Sequence, residues 1–268
     1  MEIIFNVKLT DETHLQASLP IKCGGLGIRQ ANSLALSAYI ASIASASQMD
    51  QSLATNNTLR SYQNAWQSLS KSSEECGNQR EYDKKICVSL LEEHIQNQSV
   101  TEASRVISAC HKNSGDWLKV TPNRQCGIFL NNEEFRHAVA LRLGSCVFEE
   151  HKCKCGGRVD AFGTHCFVCS RNNGRILRQT MVNDCVSSSL RLAGIPNIKE
   201  PQNTQYQNNV RPDGISLIPF QSGKCLAWDV SCPHPLRASH AQINTTPGSA
   251  ASAVEVQKEN KYSCTNYY

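Results

Sequence analysis

The sequence predicts an α+β protein, and three observations lead to that prediction. Apolar residues recur at helical spacing in several stretches between residues 31 and 143. Cysteines and histidines crowd into residues 151–169, and two short apolar, β-branched runs follow at 211–219 and 225–231. We therefore expect a helical N-terminal half, a small metal-binding module and a C-terminal domain of strands and helices. The predicted boundaries are 1–50, 51–145, 146–172 and 173–268.

Composition permits several functions and requires none. The chain has 268 residues, 40% of them hydrophobic and 19% charged, which is ordinary for a globular protein. A net charge of +4 allows nucleic-acid binding without demanding it, because a local basic patch matters more than the total. We expect no signal peptide, because no basic stretch precedes a long apolar core at the start. The longest apolar run, at 34–46, is broken by serines and too short to span a bilayer. We expect an intracellular, reducing setting.

The N-terminal half is predicted to be a helical scaffold. Helices are expected at 31–46, 81–97, 101–110 and 133–143. Residues 47–80 are rich in Ser, Gln and Asn, which favours a solvated connection or a loosely packed helix. Glycines at 24, 25 and 27 indicate a tight turn. They do not form a phosphate loop, because no strand precedes them and no Gly-Lys-Ser/Thr follows.

The cysteine-rich stretch contains the strongest local motif. Two soft ligands one residue apart, a glycine-bearing loop, and a His and a Cys four apart can close a tetrahedron around Zn²⁺; these are Cys153, Cys155, His165 and Cys169. All four positions would be filled by protein, so such a zinc would be structural and would stabilise a module that lacks a core. His151 and Cys166 are possible substitutes in the ligand set. The alternative is reduced cysteines that merely pack.

The two C-terminal apolar runs are predicted to form a hairpin that turns at 221–224. Alternation places Trp228 on one face of the second strand and Asp229 on the other. Asp213 opens the first strand beside a Pro and a Gly. Two carboxylates on adjacent strands suit Mg²⁺, which binds through a few carboxylates plus water and phosphate. A Pro-Asp-Gly turn and one strand Asp also occur together by chance.

Two further helices are predicted on either side of the hairpin. In the first, at 174–192, Leu177, Met181, Cys185 and Ser188 share one face. Its arginines Arg175 and Arg178 could hold phosphates or could belong to a solvated face. The second, at 247–262, places Glu255, Lys258 and Tyr262 on one face.

The order of these parts resembles the carboxy-terminal region of non-LTR retrotransposon polyproteins that carry a restriction-like endonuclease. The shared parts are the Cys/His module, the arginine-bearing helix, Arg-Pro-Asp-Gly at 211–214, the strand acid Asp229 and Glu-x-x-Lys-x-x-Lys-Tyr at 255–262. Residues 115–262 carry most of the resemblance. Residues 16–46 are weakly similar to the segment that follows the reverse-transcriptase domain in those polyproteins. The resemblance implies a PD-(D/E)xK fold, with a mixed sheet flanked by helices, in residues 173–268.

Carried over residue by residue, the resemblance implies two metal sites. Asp213 and Asp229 would hold catalytic Mg²⁺, and Glu200 and Glu255 would be further acids. The Cys/His module would hold structural Zn²⁺. Lys258 or Lys261 would replace the lysine that many members of this fold keep where this chain has Ser231.

The implied function is Mg²⁺-dependent nicking of target DNA. Arg175, Arg178, Arg211 and Lys261 would contact nucleic acid, which would be DNA and possibly element RNA, and the expected location is the nucleus. No membrane and no small-molecule cofactor is expected. No Tyr-x-Asp-Asp polymerase motif is present, so we expect the truncated tail of a larger element without DNA synthesis.

Two departures keep other functions open. Ser231 is one of them, and Gln179 stands where the family tends to have a His. The alternative function is a catalytically inactive, zinc-containing nucleic-acid-binding remnant. A pseudogene product with no selected role is the third hypothesis.

Overall fold

A computed structural model describes residues 2–47, 57–74, 76–169, 171–201, 211–237 and 245–262. The chain divides into two compact units. The first comprises residues 1–148 and 244–247, and the second comprises 149–243 and 248–268. Of the predicted 47–80 connection, residues 48–56 and 75 lie outside the described residues.

The first unit is helical in its described part. Its α-helices are α1 (Glu2–Phe5), α2 (Asp11–Ser18), α3 (Ala31–Ser47), α4 (Asn57–Ser70), α5 (Gln79–Gln96), α6 (Val100–Ala109) and α7 (Asn132–Leu143), with 3₁₀ turns at Ile21–Cys23 and Asp116–Leu118. The predicted helices at 31–46, 81–97, 101–110 and 133–143 are confirmed. The ends of α7 follow ordinary rules: Asn131 and Glu134 form a capping box, and Gly144 adopts a left-handed conformation after the last turn.

Two apolar clusters hold this unit together. One joins α3, α4 and α5 through Ile40, Trp66, Tyr82 and Ile86. The other joins α2 and α7 around Ala17, Val139 and Leu143. Trp66 is only 3% exposed, and its indole nitrogen donates to the Tyr82 carbonyl oxygen at 3.1 Å. A helix is therefore present in this stretch, as one of the two predictions had it, but α4 is not loosely packed, because Leu59 and Trp66 are both buried.

The glycine-rich turn after α2 is a packing feature. A Cβ atom at Gly25 would lie 2.0 Å from the Leu19 carbonyl oxygen, so only glycine fits there. The buried guanidinium of Arg142 donates to the carbonyl oxygens of Gly25, at 3.0 Å, and Ile21, at 2.8 Å. It also donates to the Ser114 carbonyl oxygen at 3.2 Å. Arg142 thus satisfies backbone acceptors that the turn would otherwise leave buried and unpaired.

The second unit combines two small sheets with three helices in its described part. Its elements are β1 (His151–Lys152), β2 (Arg158–Val159), α8 (Thr164–Val168), α9 (Gly174–Leu192), β3 (Asn197–Lys199), β4 (Gly214–Gln221), β5 (Lys224–Trp228) and α10 (Ser249–Tyr262). β1 pairs with β2, and the larger sheet has the order β3-β4-β5. Every pairing in the described part is antiparallel, whereas a mixed sheet was expected.

The predicted hairpin is confirmed. β4 and β5 are joined by Ser222 and Gly223, whose φ values of 50° and 76° are those of a type I′ turn. The alternation along β5 is also observed, since the Trp228 indole nitrogen donates to the Asn183 side chain on α9 while the Asp229 carboxylate contacts α10.

Helix α9 packs through a polar face. The described side chains of Asn183 and Ser187 are buried, whereas Leu177 and Met181 are 59% and 69% exposed. Cys185 and Ser188, on the predicted face with them, are exposed as well. Hydrogen bonds explain the difference, because Ser187 donates to Asn197 at 2.7 Å and Asn183 accepts from Trp228 at 2.7 Å.

No helix among the described residues is long and apolar enough to cross a membrane.

Candidate metal centre and carboxylate site

The structure brings together the four predicted zinc ligands. The ligand atoms of Cys153, Cys155, His165 and Cys169 all lie within 4.8 Å of one another. The Cys153 and Cys169 sulfurs are 3.8 Å apart, and the Cys155 sulfur lies 3.3 Å from the His165 Nε2. A tetrahedral Zn²⁺ with Zn–S bonds of 2.3 Å places two sulfurs about 3.8 Å apart and a sulfur and a nitrogen about 3.5 Å apart. The donor set and its spacing therefore fit zinc.

Local backbone structure explains why these side chains converge. Cys153 and Cys155 lie at the turn between β1 and β2, where the Cys153 amide donates to the Gly157 carbonyl oxygen at 2.8 Å. A Cβ atom at Gly157 would lie 2.6 Å from the His165 ring, so the loop needs glycine for that close approach. His165 is the second residue of the short helix α8, and Cys169 directly follows the last residue of that helix.

Asp160 holds the start of α8. Its carboxylate accepts from the amides of Phe162, Thr164 and His165 at 2.9, 3.1 and 3.3 Å. Burial alone would raise the pKa of Asp160, but these backbone hydrogen bonds outweigh it and the pKa lies below its ordinary value. Asp160 therefore fixes the backbone of one zinc ligand.

The two substitute ligands lie outside the cluster. His151 is exposed, and its Nδ1 lies 2.8 Å from the Glu149 carbonyl oxygen. Cys166 does not belong to the group whose ligand atoms all lie within 4.8 Å of one another, whereas Cys155 does. The geometry selects Cys155 over Cys166.

A second site surrounds Asp229, at the end of β5. The side chain of Asp229 is only 9% exposed, and Lys258 of α10 donates to its Oδ1 at 2.7 Å. The Tyr262 hydroxyl donates to its Oδ2 at 2.6 Å, and the Lys261 ammonium lies 3.6 Å from the same atom. Lys258 is therefore the closer of the two lysines expected here.

These partners keep Asp229 ionised. Burial would raise its pKa, but the hydrogen bonds from Lys258 and Tyr262 and the charges of Lys258 and Lys261 together hold the pKa of the carboxyl below its ordinary value of 3.8. A buried carboxylate that carries its charge at neutral pH can bind a cation or polarise a bound group.

Asp213 is hydrogen-bonded to the backbone of the residue that follows Asp229. Its Oδ2 accepts from the Val230 amide at 2.7 Å and from the Gln179 side chain at 3.4 Å. Gln179 also donates to the Val230 carbonyl oxygen at 3.1 Å, so it ties α9 to the chain just after Asp229. Neither aspartate belongs to a group of three or more acidic, His or Cys ligands within the described residues, where the Cys/His cluster is the one such group.

The other predicted acids lie at the margin of this site. Glu200 has a left-handed backbone, with φ of 46°, and its amide donates to the Asp213 carbonyl oxygen at 2.8 Å. Its carboxylate lies 3.4 Å from the Arg211 guanidinium, and both side chains are at least half exposed. Glu255 is exposed on α10, and no contact in the described structure joins it to Asp213 or Asp229.

The predicted nucleic-acid contacts differ in their surroundings. Arg178 is partly buried and stacks its guanidinium over the Phe167 ring, at 5.0 Å from the centroid, so it joins α9 to α8. Arg211 is half exposed, and Lys261 is 42% exposed. The side chain of Arg175 lies outside the described residues.

Sequence reasoning missed Asp160 and the position of Gln179, and it did not assign Tyr262 to the site. Asp160 has a recognisable signal, because an Asp in a turn commonly accepts from the backbone amide two residues further on, as it does here from Phe162. Gln179 had no such signal in the sequence, because its contact with Asp213 depends on how α9 lies against the end of β5.

Neither a comparison with protein-family models nor one with curated proteins finds a match for this chain. Fold and site thus define a mixed α+β protein with a Cys₃His cluster that could hold a metal such as zinc, and a buried, lysine-bound carboxylate in the same unit.

Proposed function

We propose that this chain is a metal-dependent DNA endonuclease whose second unit is a restriction-like, PD-(D/E)xK nuclease domain. The observation that carries the proposal is the convergence of Asp229, Lys258 and Tyr262 beside Asp213. A buried acid and a lysine that meet from a strand and a distant helix, next to a second acid, are the groups that phosphodiester hydrolysis requires.

The two aspartates would hold Mg²⁺, which when bound supplies Lewis-acid charge to a phosphodiester and lowers the pKa of water. Asp213 offers Oδ1, which makes no hydrogen bond within the described residues. Each oxygen of Asp229 accepts one hydrogen bond and keeps a further lone pair, with which Asp229 would hold the ion. Lys258, which is held against Asp229, would stabilise negative charge on the attacked phosphate.

Zinc would be structural in this proposal. Cys153, Cys155, His165 and Cys169 complete a four-coordinate site, which leaves no open position for substrate. Arg211 and Lys261 are exposed enough to meet phosphates, and the side chain of Arg175 would act with them. Binding to DNA, or to element RNA, would then weaken as salt rises.

The second candidate is a catalytically inactive, zinc-containing nucleic-acid-binding remnant. One observation favours it: Lys258 and Tyr262 already satisfy both oxygens of Asp229, which stabilises that carboxylate without a metal. Salt-dependent DNA binding without cleavage is its expected behaviour.

Nicking of supercoiled plasmid by the zinc-loaded chain with Mg²⁺ tests the proposal. We expect relaxed circles from the wild-type chain and none from Asp213→Ala or Asp229→Ala, with zinc content unchanged in both variants. Arg191→Ala is a matched control, because Arg191 is exposed at the end of α9. If the aspartate variants nick as fast as the wild type, the proposed site is wrong. Binding without any nicking supports the second candidate.

A further inference from the structure

An open cleft of about 470 Å³ lies beside the carboxylate site, between α9, α10 and residues 231–237. Its volume falls in the range of about 300–1,000 Å³ typical of ligand sites. Gln179 lines it and also contacts the Asp213 carboxylate, so the cleft and the carboxylate site share a wall.

Among the described residues, the lining combines polar with apolar groups and includes no acidic residue. Amides, a hydroxyl and one cation face the cleft: Asn173, Gln179, Ser231, Gln257 and Arg237. Within the described residues, the side chains of Asn173, Arg237 and Gln257 form no hydrogen bond or ion pair. Their donors and acceptors are therefore available to a ligand.

Apolar groups complete the surface. Ile176 comes from α9, Val254 from α10 and Pro233 from the connecting segment. A nucleobase needs this combination, since its faces pack on apolar surface and its edges take hydrogen bonds from Asn and Gln side chains. Arg237 adds the positive charge that a phosphate prefers.

We propose that this cleft binds a single unpaired nucleotide of a DNA strand. The base lies between Ile176 and Val254 and is hydrogen-bonded by Asn173 and Gln257, while Arg237 binds an adjoining phosphate. The choice of DNA rests on the proposed function. The consequence is specificity, because a distorted or unpaired site places its backbone beside Asp213 and Asp229 more readily than a fully paired duplex, whose base must first be unstacked.

Fluorescence titration with the zinc-loaded full chain, without Mg²⁺, tests the inference. The probe is a DNA duplex that contains one unpaired 2-aminopurine nucleotide, and the reference is the same duplex fully paired. We expect the unpaired probe to bind about tenfold more tightly, as one or two hydrogen bonds and apolar contacts imply. Its fluorescence should rise, because the base leaves the stack.

Two variants assign the effect to the cleft. Gln257→Ala and Arg237→Ala should each reduce the preference for the unpaired probe severalfold, whereas Arg191→Ala, which removes one exposed charge elsewhere on the second unit, should leave it intact. Equal binding of both duplexes by the wild-type chain overturns the inference. The inference is also overturned if both cleft variants keep the full preference for the unpaired probe.

The outcome separates this inference from the proposed function. If the chain prefers the unpaired probe but never nicks DNA, the nucleotide-binding role of the cleft stands and the endonuclease proposal is wrong. If the chain nicks DNA through Asp229 but shows no preference for the unpaired probe, the endonuclease proposal stands and the role of the cleft is wrong.

Discussion

Asp229 shows how a single buried acid can organise a site. A carboxylate removed from water keeps its charge only if its neighbours replace the lost hydration. Lys258 and Tyr262 do so from successive turns of α10, at 2.7 and 2.6 Å. The same contacts orient the lysine that the proposed chemistry uses, so stability and function depend on one set of hydrogen bonds.

These contacts predict a pH dependence of stability. The pKa of Asp229 is lower in the folded chain than its ordinary value of 3.8, so its stabilisation is complete above that value and is lost as pH falls through the folded pKa. Asp229→Asn should therefore be less stable than the wild type at neutral pH, and the difference should shrink as pH falls below about 4.

Urea unfolding of both zinc-loaded proteins measures this difference, with the zinc content checked at each pH so that metal loss in acid is not mistaken for the effect of Asp229. If the difference in unfolding free energy grows as the solution is acidified, Asp229 does not stabilise the folded chain as an ionised carboxylate.

Arg142 predicts a large stability effect in the first unit. Its guanidinium donates to several buried carbonyl oxygens, including those of Gly25 and Ile21. Within the described residues it forms no ion pair with an acidic side chain. Arg142→Ala leaves these acceptors unpaired and should cost about 3 kcal/mol or more. The control is Arg136→Ala on the same helix. Arg136 is partly exposed and pairs with the exposed Glu133, so the predicted cost is below about 1 kcal/mol. Thermal unfolding measures both, and equal effects would contradict this role.

At the scale of elements, we expect the Cys/His module to depend on a bound metal. β1 and β2 have two residues each and α8 has five, so these elements bury little apolar surface of their own. Folding of such a module is coupled to metal binding. The hydrogen bonds of Asp160 assist by fixing the first turn of α8 before or as the metal binds.

Cys153→Ser should weaken zinc binding by more than about tenfold, because a hydroxyl replaces one of three thiolates. Cys185→Ser, at an exposed cysteine of α9, should leave zinc content unchanged. Metal analysis after dialysis against a weak chelator measures both variants. Equal zinc retention would exclude Cys153 as a ligand.

The sequence predicted elements better than the faces through which they pack. Caps and periodicity locate α7, and the Ser-Gly turn locates the β4–β5 hairpin, because these signals are local. The packed face of α9 could not be predicted in the same way. It is formed by Asn183 and Ser187, whose partners Trp228 and Asn197 belong to other elements. A hydrophobic pattern does not detect such hydrogen-bonded contacts.

At the scale of the whole molecule, the candidate site belongs to one unit. Asp213, Asp229, Lys258 and the Cys/His cluster all lie within residues 149–243 and 248–268. Spacing predicted the Cys/His cluster, because its members are close in sequence, but it left His151 and Cys166 open as substitute ligands. The resemblance, rather than spacing, pointed to Lys258, since its contact with Asp229 depends on where α10 returns to the sheet. The buried state of Asp229 and the contribution of Tyr262 required the three-dimensional arrangement.

The proposed chemistry depends most on Lys258. The most direct measurement is the single-turnover nicking rate of Lys258→Ala on duplex DNA with Mg²⁺, compared with wild type and Lys261→Ala. We predict a loss of about 10²–10³-fold for Lys258→Ala, the range found when one donor to a developing charge is removed, with DNA affinity changed only slightly. Lys261→Ala should retain most of the rate, because its ammonium lies 3.6 Å rather than 2.7 Å from Asp229. A Lys258→Ala chain that nicks DNA at the wild-type rate would contradict the account.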